Sequence, residues 1–545
     1  MLRPLSLALS VSALLQICSA SFLDDLPEHQ RALFDYSMNQ LDLVFAPPFL
    51  FSSPRYSAWY AVGLLARNED DDVEVASQMI KDVISYQYKD PSKLWYGTFK
   101  NNIDAPDPSD VYPPRIYNSY DPNQGLFVCT SWIIVMEEFQ HLLDPELVVL
   151  MKESMYNATV GDGYRVAGFD GENLRPIYSN PWYMRIMAAT YVGNMQGDAN
   201  MTSWGDKWAE EGIAEFDKFE TLSELKFNSG TYTGVTLYTL SLWGYMPEDS
   251  VIVTRAKEII EKTWISVGQY WNPTLTALGG AWDRAYGYDL KQYYGILGSQ
   301  ITGLIGGIED RTASIPVPLI GSNHGEDAAI SPLTPLVSKF HDPYVPDSVI
   351  SQLKALSGTG HSYFAQTLSP PFDNPDYPRN YTSWTGPGLS VGAVEVDENV
   401  VGGPASNPSQ FVPANILWST PSGSTAWMLH RSTSKTISAI ATENNLTISY
   451  PPSKAFPSSD GPSSNTMTFL FSGHNFVTLP ADFLANGTGE LPGLSLRVSG
   501  NVLNGTRTFQ YGSGTINDLR YYDLTYTIPS DLEEVPTITF SFRKV

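Results

Sequence analysis

The sequence predicts a multidomain α + β protein, an N-terminal (α/α) toroid of helical hairpins followed by a C-terminal antiparallel β-sandwich. Three observations carry that expectation. Apolar residues recur at three-to-four spacing before about residue 310 and alternate after about residue 385. In the first part, segments apolar nearly all round, such as Val235–Trp243, trade places with amphipathic charged ones, such as Trp204–Lys218 and Val253–Lys262. An all-round apolar helix must be buried and an amphipathic one lies outside it, so the repeat reads as inner and outer helices of a double-layered ring.

From the N-terminus, Arg3 and the apolar run Leu5–Ile17, followed by Cys18-Ser19-Ala20, predict a cleavable signal peptide over residues 1–20. No other stretch is long and apolar enough to suggest a membrane span. Residues 21–312 are assigned to the toroid. Joints rich in polar and aromatic residues open its inner helices near Arg55-Tyr56, Asp121-Pro122-Asn123, Asn180-Pro181-Trp182, Asn228-Ser229-Gly230 and Tyr286-Gly287-Tyr288. They recur about every 50 to 65 residues, the length of two helices and two loops. Residues 313–384, rich in Pro and Gly, read as a connector. Residues 385–545 form the predicted sandwich, with alternating strands over 436–442, 466–472, 494–499 and 537–543.

Export agrees with six Asn-x-Ser/Thr triplets, at Asn157, Asn200, Asn380, Asn445, Asn486 and Asn504, each a candidate glycosylation site on an extracellular protein. Of the two cysteines, Cys18 leaves with the signal segment, so Cys129 has no partner for a bridge and reads as a buried, inert thiol. The formal charge of −25 excludes nucleic acid and anionic membranes as partners and weighs against a polyanionic substrate unless cations cluster locally. With 31 Tyr and 13 Trp, the chain has aromatic surface suited to sugar stacking. Neither metal-ligand spacing nor a phosphate loop or dinucleotide fingerprint occurs, so no cofactor or metal is expected.

This arrangement resembles the secreted polysaccharide lyases of the heparinase, chondroitin and alginate type, and it is similar to the six-hairpin glycosidases. The local likenesses are Phe227–Tyr232 and Ala281–Asp289. The resemblance implies a central funnel lined by the joints before the inner helices, whose N-termini favour developing negative charge. The residues so placed are Arg55 and Tyr56; Tyr117, Tyr120, Asp121 and Asn123; Asn180 and Trp182; Asn228 and Tyr232; and Arg284, Tyr286, Tyr288 and Asp289.

β-Elimination needs the substrate carboxylate neutralised, a base for the C5 proton and an acid for the leaving oxygen. Asn228 is the candidate neutraliser, Tyr232 or Tyr288 the acid or base, and Arg284 a second clamp. His324, in a polar Gly-containing loop, is a candidate base, with His361 comparable. Tyr56, Tyr120, Asp121, Asn123, Asn180, Trp182 and Tyr286 are the candidate substrate-binding residues. The bland readings are a helix cap for Asn228 and an ion pair of Arg284 with Asp283. Two alternatives remain beside a lyase and a non-enzymatic sugar-binding protein. A toroid hydrolase would pair two carboxylates roughly 5 to 9.5 Å apart, drawn from Asp121, Asp170, Glu172, Asp283 and Asp289. A toroid cyclase or dehydratase would instead enclose an apolar small-molecule metabolite.

Overall fold

A computed structural model describes residues 22–108, 120–165, 174–222, 227–285, 295–313, 325–367, 377–397, 411–454, 464–472, 481–513 and 520–545, so the predicted signal segment lies outside the described residues. The helices are α1 (Glu28–Val44), α2 (Pro54–Arg67), α3 (Asp72–Ser85), α4 (Gln124–Ile134), α5 (Pro145–Ala158), α6 (Ser179–Gln196), α7 (Ala199–Phe216), α8 (Gly230–Ser241), α9 (Val251–Tyr270), α10 (Gly295–Ile305), α11 (Leu333–Leu336) and α12 (Asp347–Lys354). Helices α2, α4, α6, α8 and α10 each pack on the next, and α11 packs on both α10 and α2, so the ring closes. Outside them, α3, α5, α7 and α9 back their hairpin partners, while α12 and α1 back α10.

Burial follows the pattern of the sequence. Every residue of α4 and α8 is buried, whereas α3, α7 and α9 bury one stripe each. Local signals set the ends. Pro54 opens α2, and Asn68 closes it in the left-handed conformation. Gly197 ends α6 at φ +68°, and the Asp198 carboxylate then accepts from the amides of Asn200 and Met201 at 3.0 Å each, capping α7. No helix among the described residues is long and apolar enough to cross a membrane.

After a two-stranded ribbon, β1 (Trp271–Asn272) with β2 (Ala277–Leu278), come β3 (His361–Thr367), β4 (Arg379–Gly386), β5 (Leu389–Asp397), β6 (Ala414–Ser419), β7 (Thr425–Arg431), β8 (Thr436–Ala441), β9 (Asn445–Ser449) and β10 (Thr466–Ser472). The helix α13 (Ala481–Asn486), β11 (Thr488–Leu491), β12 (Leu494–Ser499), β13 (Arg507–Ser513), β14 (Arg520–Thr527) and β15 (Thr537–Lys544) follow. One sheet runs β3-β4-β5-β6-β7-β10-β14-β13, the other β11-β12-β15-β9-β8, and every pairing is antiparallel. The end of β5 turns from the first sheet to pair with β8 of the second, Val396 opposite Ile437. Between the sheets lies an apolar core where Phe469 and Phe540 meet at 4.6 Å between ring centroids.

A polar network crosses that core. Buried His430 takes the Tyr450 hydroxyl at Nε2, 3.0 Å away, and its Nδ1 lies 3.0 Å from the carbonyl of Thr468. Burial lowers its pKa from 6.5 to about 4. The unfolded chain therefore gains a proton near pH 6.5 that the native state refuses until about pH 4, so stability falls as pH drops through that window. A shift of this size is worth about 3 kcal/mol. His430→Gln should flatten the difference between urea midpoints at pH 7 and pH 4.5. An unchanged difference would remove His430 from the account.

The helical and sheet parts share one interface. Trp282 and Val412 exchange backbone hydrogen bonds at 3.0 and 2.8 Å. The backbones approach so closely that a Cβ on Gly392 would stand 2.2 Å from Gly280 Cα, and Gly280 itself has φ +84°. The connector predicted over residues 313–384 is not seen among its described residues. Residues 325–354 complete the ring through α11 and α12, and β3 and β4 already belong to the sheet. The misreading has a physical cause: Pro332, Pro335 and Pro346 punctuate short helices, where proline is tolerated in the first turn.

Candidate functional site

Groups from the starts of α2 and α8 and from the segments before α4 and α11 act on Arg55. Its Nη2 lies 3.0 Å from Asp327 Oδ1, and its guanidinium sits 3.7 Å from the Phe127 ring centroid and 4.6 Å from that of Trp59. Its Nε is sealed from solvent without an acceptor. Burial works against the charge, but Tyr56, Asp327, Asp121 and Tyr232 together outweigh it and hold the guanidinium protonated. Those four residues come from the starts of α2 and α8 and from the segments before α11 and α4. The ring thus brings together groups far apart in sequence. The Tyr56 hydroxyl donates to Asp327 Oδ1 at 3.3 Å, and burial followed by the charge of Asp327 pushes its pKa up. Beside this cluster opens a groove of about 300 Å³, lined by Phe51, Ser53, Arg55, Tyr56, Asn101, Asn102, Gln124 and Glu326.

Other expected residues are placed differently. Asn228 is buried at φ +53°, one position before the N-cap Ser229, and donates through Nδ2 to the carbonyls of Gly279 (2.7 Å) and Ala281 (2.9 Å). Both amide hydrogens are spent on tying α8 to the loop after β2, so Asn228 is neither the neutraliser nor a helix cap. Asp283 is paired not with Arg284 but with Arg379 of β4, at 3.0 Å. Arg284 stays at the start of α8, where its carbonyl accepts from Ser229 Oγ at 2.8 Å. Trp182 donates to the carbonyl of Trp208 at 2.9 Å and packs between α6 and α7, which removes it from the funnel. Tyr120 is buried beside Trp95. Tyr117, Tyr286, Tyr288, Asp289, His324, Asp170 and Glu172 lie outside the described residues. His361 rests in β3, its Nε2 3.0 Å from the Gln269 carbonyl.

Around the start of α4, Asp121 Oδ1 accepts from the amide of Asn123 at 2.8 Å, and Asn123 Oδ1 accepts from Arg165. Buried Asp162 takes the amide of Gly125 at 2.6 Å. Desolvation pushes its carboxyl well above the usual range, with Arg165 pulling it back. At the start of α6, Asn180 is buried with Oδ1 unpaired. Tyr232 is 8% exposed, its ring 6.1 Å from that of Tyr178. Among the described residues no group of three His, Cys, Asp or Glu could hold a metal. Cys129 is buried and free, its thiol pushed up to about 12 by desolvation. Of the glycosylation candidates, Asn200, Asn445 and Asn504 are exposed and Asn380 is half-buried, while the side chain of Asn486 lies outside the description. Asn157 sits buried in α5 with its Oδ1 on the Tyr96 hydroxyl, a placement a glycan does not fit.

Sequence reasoning missed the central role of Arg55, which it held only as one joint residue among many, and missed Asp327 and Gln124 altogether. The signal that could have found Asp327 is the short apolar segment Ala328–Ile330, which ends an otherwise polar stretch just before α11.

Residues 31–339 match a family profile described as a domain of unknown function, DUF8769, and residues 359–543 match a second, DUF8770. The chain belongs to the DUF8769 family. No curated protein sequence matches it. Among solved structures, this DUF8769 protein is similar to the chondroitin AC lyase of Streptomyces coelicolor A3 in complex with chondroitin sulphate, at 9% identity and a TM-score of 0.46, over 95% of this chain and 80% of that one. It is also similar to heparinase III, at 8% identity and a TM-score of 0.39, over 95% of this chain and 85% of that one. The toroid-plus-sandwich architecture expected from the sequence is present among the described residues, as a closed ring of helical hairpins and two antiparallel sheets.

Proposed function

We propose that this protein is an exported, glycosylated polysaccharide lyase that cleaves a uronic-acid-containing glycan by β-elimination. The observation that supports it is the gathering of Tyr56 and Tyr232 around one buried guanidinium, Arg55, whose Nε has no acceptor. A substrate carboxylate in the groove that Arg55 lines would meet its guanidinium, which would spread the charge of the enolate-like intermediate. Tyr232 removes the C5 proton. The C–H electrons form the C4–C5 double bond as the C4–O bond breaks. Tyr56, held protonated by burial and by Asp327, gives its proton to the leaving oxygen.

The alternatives fit less well. A hydrolase pair using Asp283 is disfavoured, because Arg379, Tyr381 and the Phe227 amide already occupy that carboxylate. A groove lined by Ser53, Asn101, Asn102, Gln124 and Glu326 is too polar for an apolar metabolite.

Incubation with a panel of uronic-acid polysaccharides tests the reading. A lyase produces the ultraviolet absorbance of an unsaturated uronate, whereas new reducing ends without that absorbance mean hydrolysis. On the responding polymer, Arg55→Met should lower kcat/KM by about 10²-fold, as loss of a charge-stabilising donor does elsewhere. Full activity in that variant would contradict the assignment.

A further inference from the structure

A second arginine is buried and, unlike Arg55, has no ion-paired acid among the described residues. Arg185 on α6 is 6% exposed, and its guanidinium lies 3.4 Å from the Trp208 ring centroid and 4.6 Å from that of Trp182. Among the described residues no carboxylate forms an ion pair with it; Glu211 acts on it only from a distance. Its Nε is sealed from solvent without an acceptor. Burial, and then repulsion by Arg165, lower its pKa to about 9.

Around it the surface is aromatic and cationic. Half-buried Tyr164 meets Trp208 edge to face at 5.1 Å, half-buried Trp204 lies tilted against it at 5.5 Å, and Lys207 Nζ stands 4.4 Å over the Trp204 ring. A desolvated cation without a counter-charge is costly unless something supplies the charge. In a chain of net charge −25, Arg185, Arg165 and Lys207 thus gather beside aromatic surface.

We propose that Arg185, with Arg165 and the rings of Tyr164 and Trp204, forms an accessory subsite for an anionic sugar. The carboxylate or sulfate ester meets the guanidinium, and the sugar ring lies on the half-exposed indole. The subsite lies between the hairpins of α4–α5 and α6–α7, centred on α6 and α7 where the Arg55 groove is centred on the start of α2, and the inference rests on reading the chain as acting on an acidic glycan.

Calorimetric titration of the whole protein with glucuronate, glucose 6-sulfate and glucose tests it. Either charged sugar should bind at least about ten-fold more tightly than glucose, and the tighter of the two names the anion. Arg185→Met should abolish the discrimination. Trp204→Ala, at a half-exposed position, should weaken all three sugars while keeping the preference for charge. Arg185→Lys, which keeps the charge but loses the planar stack, serves if the methionine variant does not fold, and it should retain only part of the preference. Equal binding of glucose, or undiminished preference in a folded Arg185 variant, overturns the subsite. Charge preference without any elimination product defeats the lyase reading alone. Elimination with an unchanged KM in Arg185→Met defeats the subsite alone.

Discussion

Replacing Asp283 by alanine should lower the stability of the protein by about 3–5 kcal/mol, the usual cost of leaving a buried charge without its partner. Asp283 is fully buried and Arg379 is 2% exposed at the side chain. The carboxylate accepts from Arg379 Nη1 at 3.0 Å, from the Tyr381 hydroxyl at 2.6 Å and from the Phe227 amide at 3.2 Å. Burial nevertheless holds the Asp283 carboxyl above its ordinary range, so the attraction of Arg379 does not recover the whole desolvation cost. The pair is therefore expected to contribute little net stability while being expensive to break. Asp283→Leu combined with Arg379→Met and Tyr381→Phe should cost less than Asp283→Ala alone. Urea midpoints of the two variants decide the matter, and an order opposite to this one would mean that the pair is a genuine stabiliser. Because Phe227 precedes Asn228 and the start of α8, the single variant should also disturb the position of Tyr232.

The helical ring was readable because burial leaves a periodic mark. Helices α4 and α8 are apolar on every side, and nothing but an inner position explains that. The polar joints were readable for the same reason, since they interrupt such helices at their starts. Which polar joint residue faces substrate was not readable, because that depends on partners more than fifty residues away. Asn228 looked like a neutraliser or a cap from its place before Ser229, yet the carbonyls of Gly279 and Ala281 take its amide. Asp283 was matched to its neighbour Arg284, while its partner Arg379 comes from the sheet. Trp182, an aromatic at a rim, turned out to fill the seam between α6 and α7. In each case the sequence shows a residue's chemistry and its local position, and only the closure of the ring on the sheet decides which neighbour it meets.

The remaining large effect concerns Tyr232. Its ring is buried against Tyr178 near the start of α8, and its hydroxyl end belongs to the group acting on Arg55. Tyr232→Phe removes one oxygen and keeps the ring in place, so packing with Tyr178 and the fold of α8 should survive. If the phenol moves the C5 proton, turnover on the responding glycan should fall by about 10²–10⁴-fold. Unfolding by urea should stay within about 1 kcal/mol of the parent, since only a hydroxyl's hydrogen bonding is lost. Tyr56, also beside Arg55, is held protonated by burial and by Asp327 and so serves as the acid, so Tyr56→Phe should impair leaving-group departure more than proton removal. A glycan bearing a better leaving group should then rescue Tyr56→Phe but not Tyr232→Phe. Rescue of both variants, or full turnover in Tyr232→Phe, would take the base role away from Tyr232 and leave Arg55 as an anion-binding group only.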